Sequence, residues 1–158
     1  MSEWIKDNID PDIANYLFNL RLRINDKIFQ KNVMPDLSVD FELLEEQLQD
    51  TPQMIAFWNQ ILAEQSCLVQ VLDRRIRNKK GQIWEKTVAD ANSNEVAIRS
   101  TDIKEIINAD QSVQALEIEL LKEKKKEDKI KAVIDGLIKK FDALRSLSGF
   151  KRDERRVQ

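Results

Sequence analysis

The chain has 158 residues, of which 42% are hydrophobic and 34% charged, with a formal net charge of -2. That length fits one domain with at most an accessory arm, and three Gly and three Pro among so many charges favour long helices. The absence of histidine removes the commonest general base, the commonest metal ligand and every triad built on imidazole.

The lone Cys67 is too little for an intrachain disulfide or a zinc site. Its apolar helical setting marks it as a buried structural thiol, which suits a reducing cytoplasm. No apolar run approaches the ~20 residues that span a membrane, and no signal peptide is visible at MSEWIKDNID. The charge is unevenly spread. Residues 1–50 carry five Lys/Arg and eleven Asp/Glu, a net -6, and the remainder carries +4. The division that follows is an acidic helical N-terminal arm over 1–39 and a helical body over 40–158.

Residues 11–31 place Ile13, Leu17, Leu20, Ile24 and Ile28 at helical spacing, with Asp10 as N-cap and Pro11 at the first helical position. Pro35 breaks that pattern, and DFELLEEQLQD predicts a short second helix. Thr51-Pro52 opens a third by the same cap logic. Its stripe runs through Ile55, Trp58, Ile61, Leu62, Leu68, Val69, Leu72 and Ile76. The pattern fades around Gly81, and the polar cluster DANSN predicts a loop over 87–100. Ser100 or Thr101 caps a new start, which Asn108-Ala109-Asp110 interrupts.

From Ser112 to Ser148 the chain reads as one long helix. Val113, Leu116, Leu120, Glu123, Glu127, Ile130, Ile134, Leu137, Phe141 and Leu144 recur every three or four residues, the a/d seam of a heptad repeat. The two glutamates split the seam into two apolar blocks. Gly136 inside this helix costs about 1 kcal/mol relative to Ala and points to close packing or a bend there. Gly149 has the chemistry of a left-handed C-cap, with KRDERRVQ as a charged tail. No convincing strand and no internal repeat is found. The expected fold class is all-α, with long helices and a C-terminal heptad-patterned oligomerisation helix formed through Ile130, Ile134, Leu137, Phe141 and Leu144.

Catalysis finds no support: there is no Gly-rich phosphate loop, no nucleophile elbow and no metal-ligand cluster. Glu42, Glu45, Glu46 and Asp50 read as a solvated acidic helix face. No catalytic residue, metal or other cofactor is expected. The basic segment from Asp73 to Lys86 is more informative, with six Lys/Arg against two acids. Arg74, Arg75, Arg77, Lys79, Lys80 and Lys86 can neutralise phosphates, and Trp84 offers either a stacking face for a base or a core side chain. Arg74, Arg77 and Lys80 recur on one helical side. The mixed run Lys122 to Lys129 reads as a solvated helix turn.

Two further segments resemble a known family. Asp102-Ile103-Lys104-Glu105-Ile106-Ile107-Asn108-Ala109-Asp110, and then Phe141-Asp142-Ala143-Leu144-Arg145-Ser146-Leu147-Ser148-Gly149-Phe150, are similar to motifs of the UvsY-like recombination mediators of tailed bacteriophages. The likeness covers about residues 40–153, and the basic helix of that family corresponds to Leu72 to Trp84. Two departures stand out: the acidic arm, and one extra residue between Ser146 and Gly149. The resemblance implies a ring-like homo-oligomer held by C-terminal helices, single-stranded-DNA binding, and help in replacing single-strand-binding protein with a RecA-class recombinase. It also implies the cytoplasm, that of the host cell for a phage-encoded protein. The other function class compatible with the same seam and charges is a helical virion or scaffold component with no nucleic-acid role.

Overall fold

The computed structural model describes residues 18–24 and 27–157, with side chains described as far as Lys151. Its elements in chain order are β1 (Asn19–Ile24), β2 (Lys27–Asn32), the short helix α1 (Met34–Leu37), α2 (Leu44–Ser93), α3 (Ser100–Ala109) and α4 (Gln111–Val157). The fold is predominantly helical, and two long helices carry most of it. The chain divides into two compact units, Met1–Glu64 with Lys126–Gln158, and Gln65–Lys125.

The first unit corrects the expectation of a chain without strands. β1 and β2 pair antiparallel, with Leu20 opposite Lys31, Leu22 opposite Phe29 and Ile24 opposite Lys27. The Val33 N–H donates to the Phe18 carbonyl at 3.0 Å and continues the ladder. NLRLRI alternates apolar and polar residues, so a strand sends Leu20 and Leu22 inward and Arg21 and Arg23 outward. A helix would have scattered these side chains around its circumference. The proposed cap at Asp10-Pro11 lies outside the described residues.

The core of this unit joins the hairpin to both long helices. Leu20, Leu22, Val33, Trp58, Ile61, Ile130, Val133, Ile134 and Leu137 form one buried cluster. Asp36 in α1 ties its polar rim together. Its carboxylate meets the Lys31 ammonium at 2.6 Å and accepts the Trp58 indole N–H at 3.4 Å. Its carbonyl accepts from Lys140 Nζ at 2.9 Å. Lys140 is buried, and burial pushes its amine below the usual lysine range, with the Asp36 charge opposing that shift. Gly136 is the point of close approach: a Cβ there would stand 2.8 Å from a methyl of Leu37.

The second unit has a smaller core of Val69, Leu72, Ile76 and Leu120, with Leu68 and Leu116 against it. Gln65 is buried, and its amide donates to the Glu123 carbonyl at 3.1 Å and to the Glu123 carboxylate at 2.8 Å. The α2 terminus closes with Val96 N–H on the Ala91 carbonyl and Glu95 N–H on that of Asn92, the two bonds of a Schellman motif. Between α3 and α4, Asp110 caps the second helix. Its carboxylate accepts the N–H groups of Ser112 at 2.9 Å and Val113 at 3.0 Å, and the Ser112 hydroxyl. These bonds, the hydroxyl first, hold its carboxyl below the usual range.

Several expected boundaries fall inside helices. Residues 44–50 and the stretch after Thr51 form one helix, with Pro52 inside it. Thr51 is fully buried and its hydroxyl donates to the Gln47 carbonyl at 2.6 Å, so it serves the helix interior rather than a start. Gly81 is helical, the predicted loop over 87–100 shrinks to the residues between Ser93 and Ser100, and α4 passes through Gly149 to Val157. Cys67 is exposed, not buried, because it falls on the side of α2 away from Val69, Leu72 and Ile76. The ten seam positions from Val113 to Leu144 are all buried or half-buried.

Candidate nucleic-acid interface

All seven residues expected to contact nucleic acid lie on one uninterrupted stretch of α2 in the second unit. Since Leu72 and Ile76 point into the core, the helical period fixes where the others go. Arg74 falls on the outer side. Arg77, Lys80 and Trp84, spaced i, i+3 and i+7, share one flank. Arg75, Lys79 and Lys86, spaced i, i+4 and i+11, share the other. The single side expected for Arg74, Arg77 and Lys80 is therefore the outer side plus one flank. Gly81 is not a turn; it sits helically and lets no residue swing round.

Exposure follows this geometry. Arg74, Arg75, Arg77 and Lys86 are exposed, Lys79 and Lys80 half-buried, and the Trp84 indole 37% exposed. Neighbouring acids already engage part of the charge. Arg77 pairs with Asp73 one turn earlier, and Lys80 bridges to Glu117 of α4 at 2.7 Å. Lys79 lies close enough to Asp110 to help hold its carboxyl low. Arg74, Arg75 and Lys86 have no acidic partner among the described residues. The arrangement offers three unpaired cations, three partly neutralised ones and one indole face on a rigid helix, a surface suited to a phosphate backbone with a base against the ring.

Compared with models of known protein families, with curated proteins and with solved structures, the chain matches none. The likeness to phage recombination mediators thus rests on its two short motifs. The first segment lies in α3 up to Ala109, with Asp110 between the two helices, and the second is the α4 segment from Phe141 to Phe150.

The residues expected to form an oligomer seam are already covered within the chain. Ile130, Ile134, Leu137 and Leu144 are buried and Phe141 is half-buried, with the Arg145 guanidinium 5.8 Å from its ring centre. The apolar side chains left exposed on α4 are others, Ile118, Leu121 and Ile138 among them. Among the described residues no three His, Cys, Asp or Glu side chains converge as a metal site requires, and no helix is long and apolar enough to cross a membrane.

Proposed function

We propose that this protein binds single-stranded DNA without acting on it chemically, as a recombination mediator that helps load a RecA-class recombinase in place of single-strand-binding protein. The observation that carries the reading is the exposed indole of Trp84 on the same helix flank as Arg77 and Lys80, with Arg74 beside them. Cations along a backbone and a ring for a base are the two elements of sequence-tolerant single-strand binding. The partners follow from the family resemblance: the recombinase, single-strand-binding protein and further copies of this chain in a ring-like homo-oligomer, in the cytoplasm. One copy binds weakly, because half its cations are shared with acids. An oligomer adds such patches at high effective concentration.

The test is titration of single-stranded DNA at several salt concentrations. Arg74, Arg77 and Lys80 all changed to Ala should lower affinity and flatten the salt slope, by about 0.7 for each phosphate no longer neutralised, with oligomer mass unchanged. Trp84→Ala should cost roughly 1–3 kcal/mol per stacked base and leave the slope nearly as it was. Wild-type affinity and salt dependence in the triple variant would remove this helix from the mechanism. That outcome would favour the second reading, a helical assembly component without a nucleic-acid role, for which the exposed Ile118, Leu121 and Ile138 supply contact surface.

A further inference from the structure

In the second unit, Leu116 and Leu120 of α4 turn toward the core that holds Leu72. The helical period turns Ile118, Leu121, Lys122 and Lys125, spaced i, i+3, i+4 and i+7, to the opposite side, with Lys124 at its edge. All five are exposed, Ile118 at 53% and Leu121 at 59%. Every residue of this unit is among the described ones. Lys122, Lys124 and Lys125 have no acidic partner among the described residues, and the exposed Glu119 one turn before Lys122 does not pair with it. A helix face that serves solubility alone sets opposite charges one turn apart, as Glu127 and Lys131 do at 3.0 Å. Here two aliphatic side chains are followed at once by three unpaired cations.

The order along the helix is what selects a ligand. Within about 10 Å of helix length, apolar surface gives way to positive charge. A matching ligand carries bulky apolar groups at one end of a short stretch and anions at the other. A nucleic-acid strand meets the charge, but it sets sugar and phosphate against Ile118 and Leu121, and α4 has no aromatic ring between Gln111 and Lys125 to take a base. An anionic lipid surface also meets the charge. It would bring the same headgroups against Glu119, which stands beside the two aliphatics. A peptide avoids both conflicts, because it places its apolar end where Glu119 stands and its acids one turn further on.

We propose that the outer face of α4 from Ile118 to Lys125 docks an acidic segment of a partner protein. Aliphatic or aromatic side chains of that segment cover Ile118 and Leu121, and its carboxylates pair with Lys122, Lys124 and Lys125. The face lies on a different helix from the cations of α2 and takes a different ligand, so it stands or falls apart from the single-strand reading.

The test titrates the full-length protein with a short synthetic peptide of leucines followed by aspartates, at low and high salt. The comparison probes are polyglutamate, single-stranded DNA and phosphatidylglycerol vesicles. The wild type should bind the leucine–aspartate peptide, and polyglutamate about tenfold more weakly, for want of the apolar half. Ile118→Gln with Leu121→Gln should weaken the peptide about tenfold or more and leave its salt dependence. Lys122, Lys124 and Lys125 all changed to Gln should weaken it about three- to a hundredfold and flatten the salt dependence, with far less loss on single-stranded DNA. The five side chains are exposed, so these variants keep the core. With the three lysines changed to Glu instead, a leucine–lysine peptide should bind and the aspartate peptide should not. Failure of the wild type to bind the aspartate peptide, polyglutamate binding as tight, vesicle binding lost in the same variants, or an equal loss of single-strand affinity would overturn the proposal.

Discussion

Glu95 stands in a left-handed conformation, φ 54°, where its side chain crowds its own backbone. It occupies the position that closes α2, between the two reversed hydrogen bonds to Ala91 and Asn92, and glycine is the residue that usually sits there. For a side-chain-bearing residue the conformation costs about 1–2 kcal/mol, and glycine gives back part of that through greater freedom in the unfolded chain. Glu95→Gly should therefore stabilise the fold by a few tenths to about 1 kcal/mol in urea denaturation. A lower midpoint would mean that the Glu95 side chain makes interactions worth more than its strain. Single residues also explain what the sequence alone could not assign in the candidate site. The cations themselves and their order on a helix are readable from spacing. Their pairing is not: Lys80 meets Glu117 and Lys79 approaches Asp110 only because the chain returns in space.

Among the elements, α4 shows how packing outranks intrinsic preference. Glycine weakens a helix by about 1 kcal/mol relative to alanine, and Gly136 is kept where α1 approaches most closely. Gly136→Ala gains helix stability but presses on Leu37, and overpacking costs about 1–3 kcal/mol. With Leu37→Ala in the background the pressure is gone. The double-mutant cycle should show Gly136→Ala at least about 0.5 kcal/mol more favourable beside Leu37→Ala than alone; additivity would place the constraint elsewhere. Of the close packing or bend expected at Gly136, the close packing is found, whereas Pro52, Gly81 and Gly149 lie inside helices that continue through them. Breaker residues mark boundaries only where tertiary burial does not hold the helix through them, as buried Thr51 and Trp58 do around Pro52. The hairpin escapes a reading by periodicity for a different reason. Leu20 and Ile24 fit the helical spacing of Ile13, Leu17 and Ile28 as well as the alternation of Leu20, Leu22 and Ile24. A two-residue connection between Ile24 and Lys27 is the deciding signal.

At the scale of the molecule, each unit has its own core, and the seam read from the sequence is spent on them. Ile130, Ile134 and Leu137 belong to the cluster with Trp58 and Leu22, and Leu116 and Leu120 to the one with Leu72. An apolar stripe says that a helix needs a partner but not whose, and here these side chains are covered within the same chain. Ile134→Glu should consequently unfold its unit, a loss of about 4 kcal/mol or more being what burial of an unpaired charge entails, visible as a collapse of the thermal transition. A folded protein of smaller mass by light scattering would instead assign Ile134 to contacts between copies.

The amide of Gln65 has a consequence beyond its own two bonds to Glu123. An apolar stripe by itself is nearly indifferent to sliding along its partner helix, since apolar meets apolar again. Glu123 is one of the polar positions in that stripe, and a slipped α2 would strand the buried Gln65 without its acceptor, at about 1–3 kcal/mol. The two helix segments of that unit thus carry an address as well as adhesion: one polar pair makes a single alignment of an otherwise repetitive pattern the correct one.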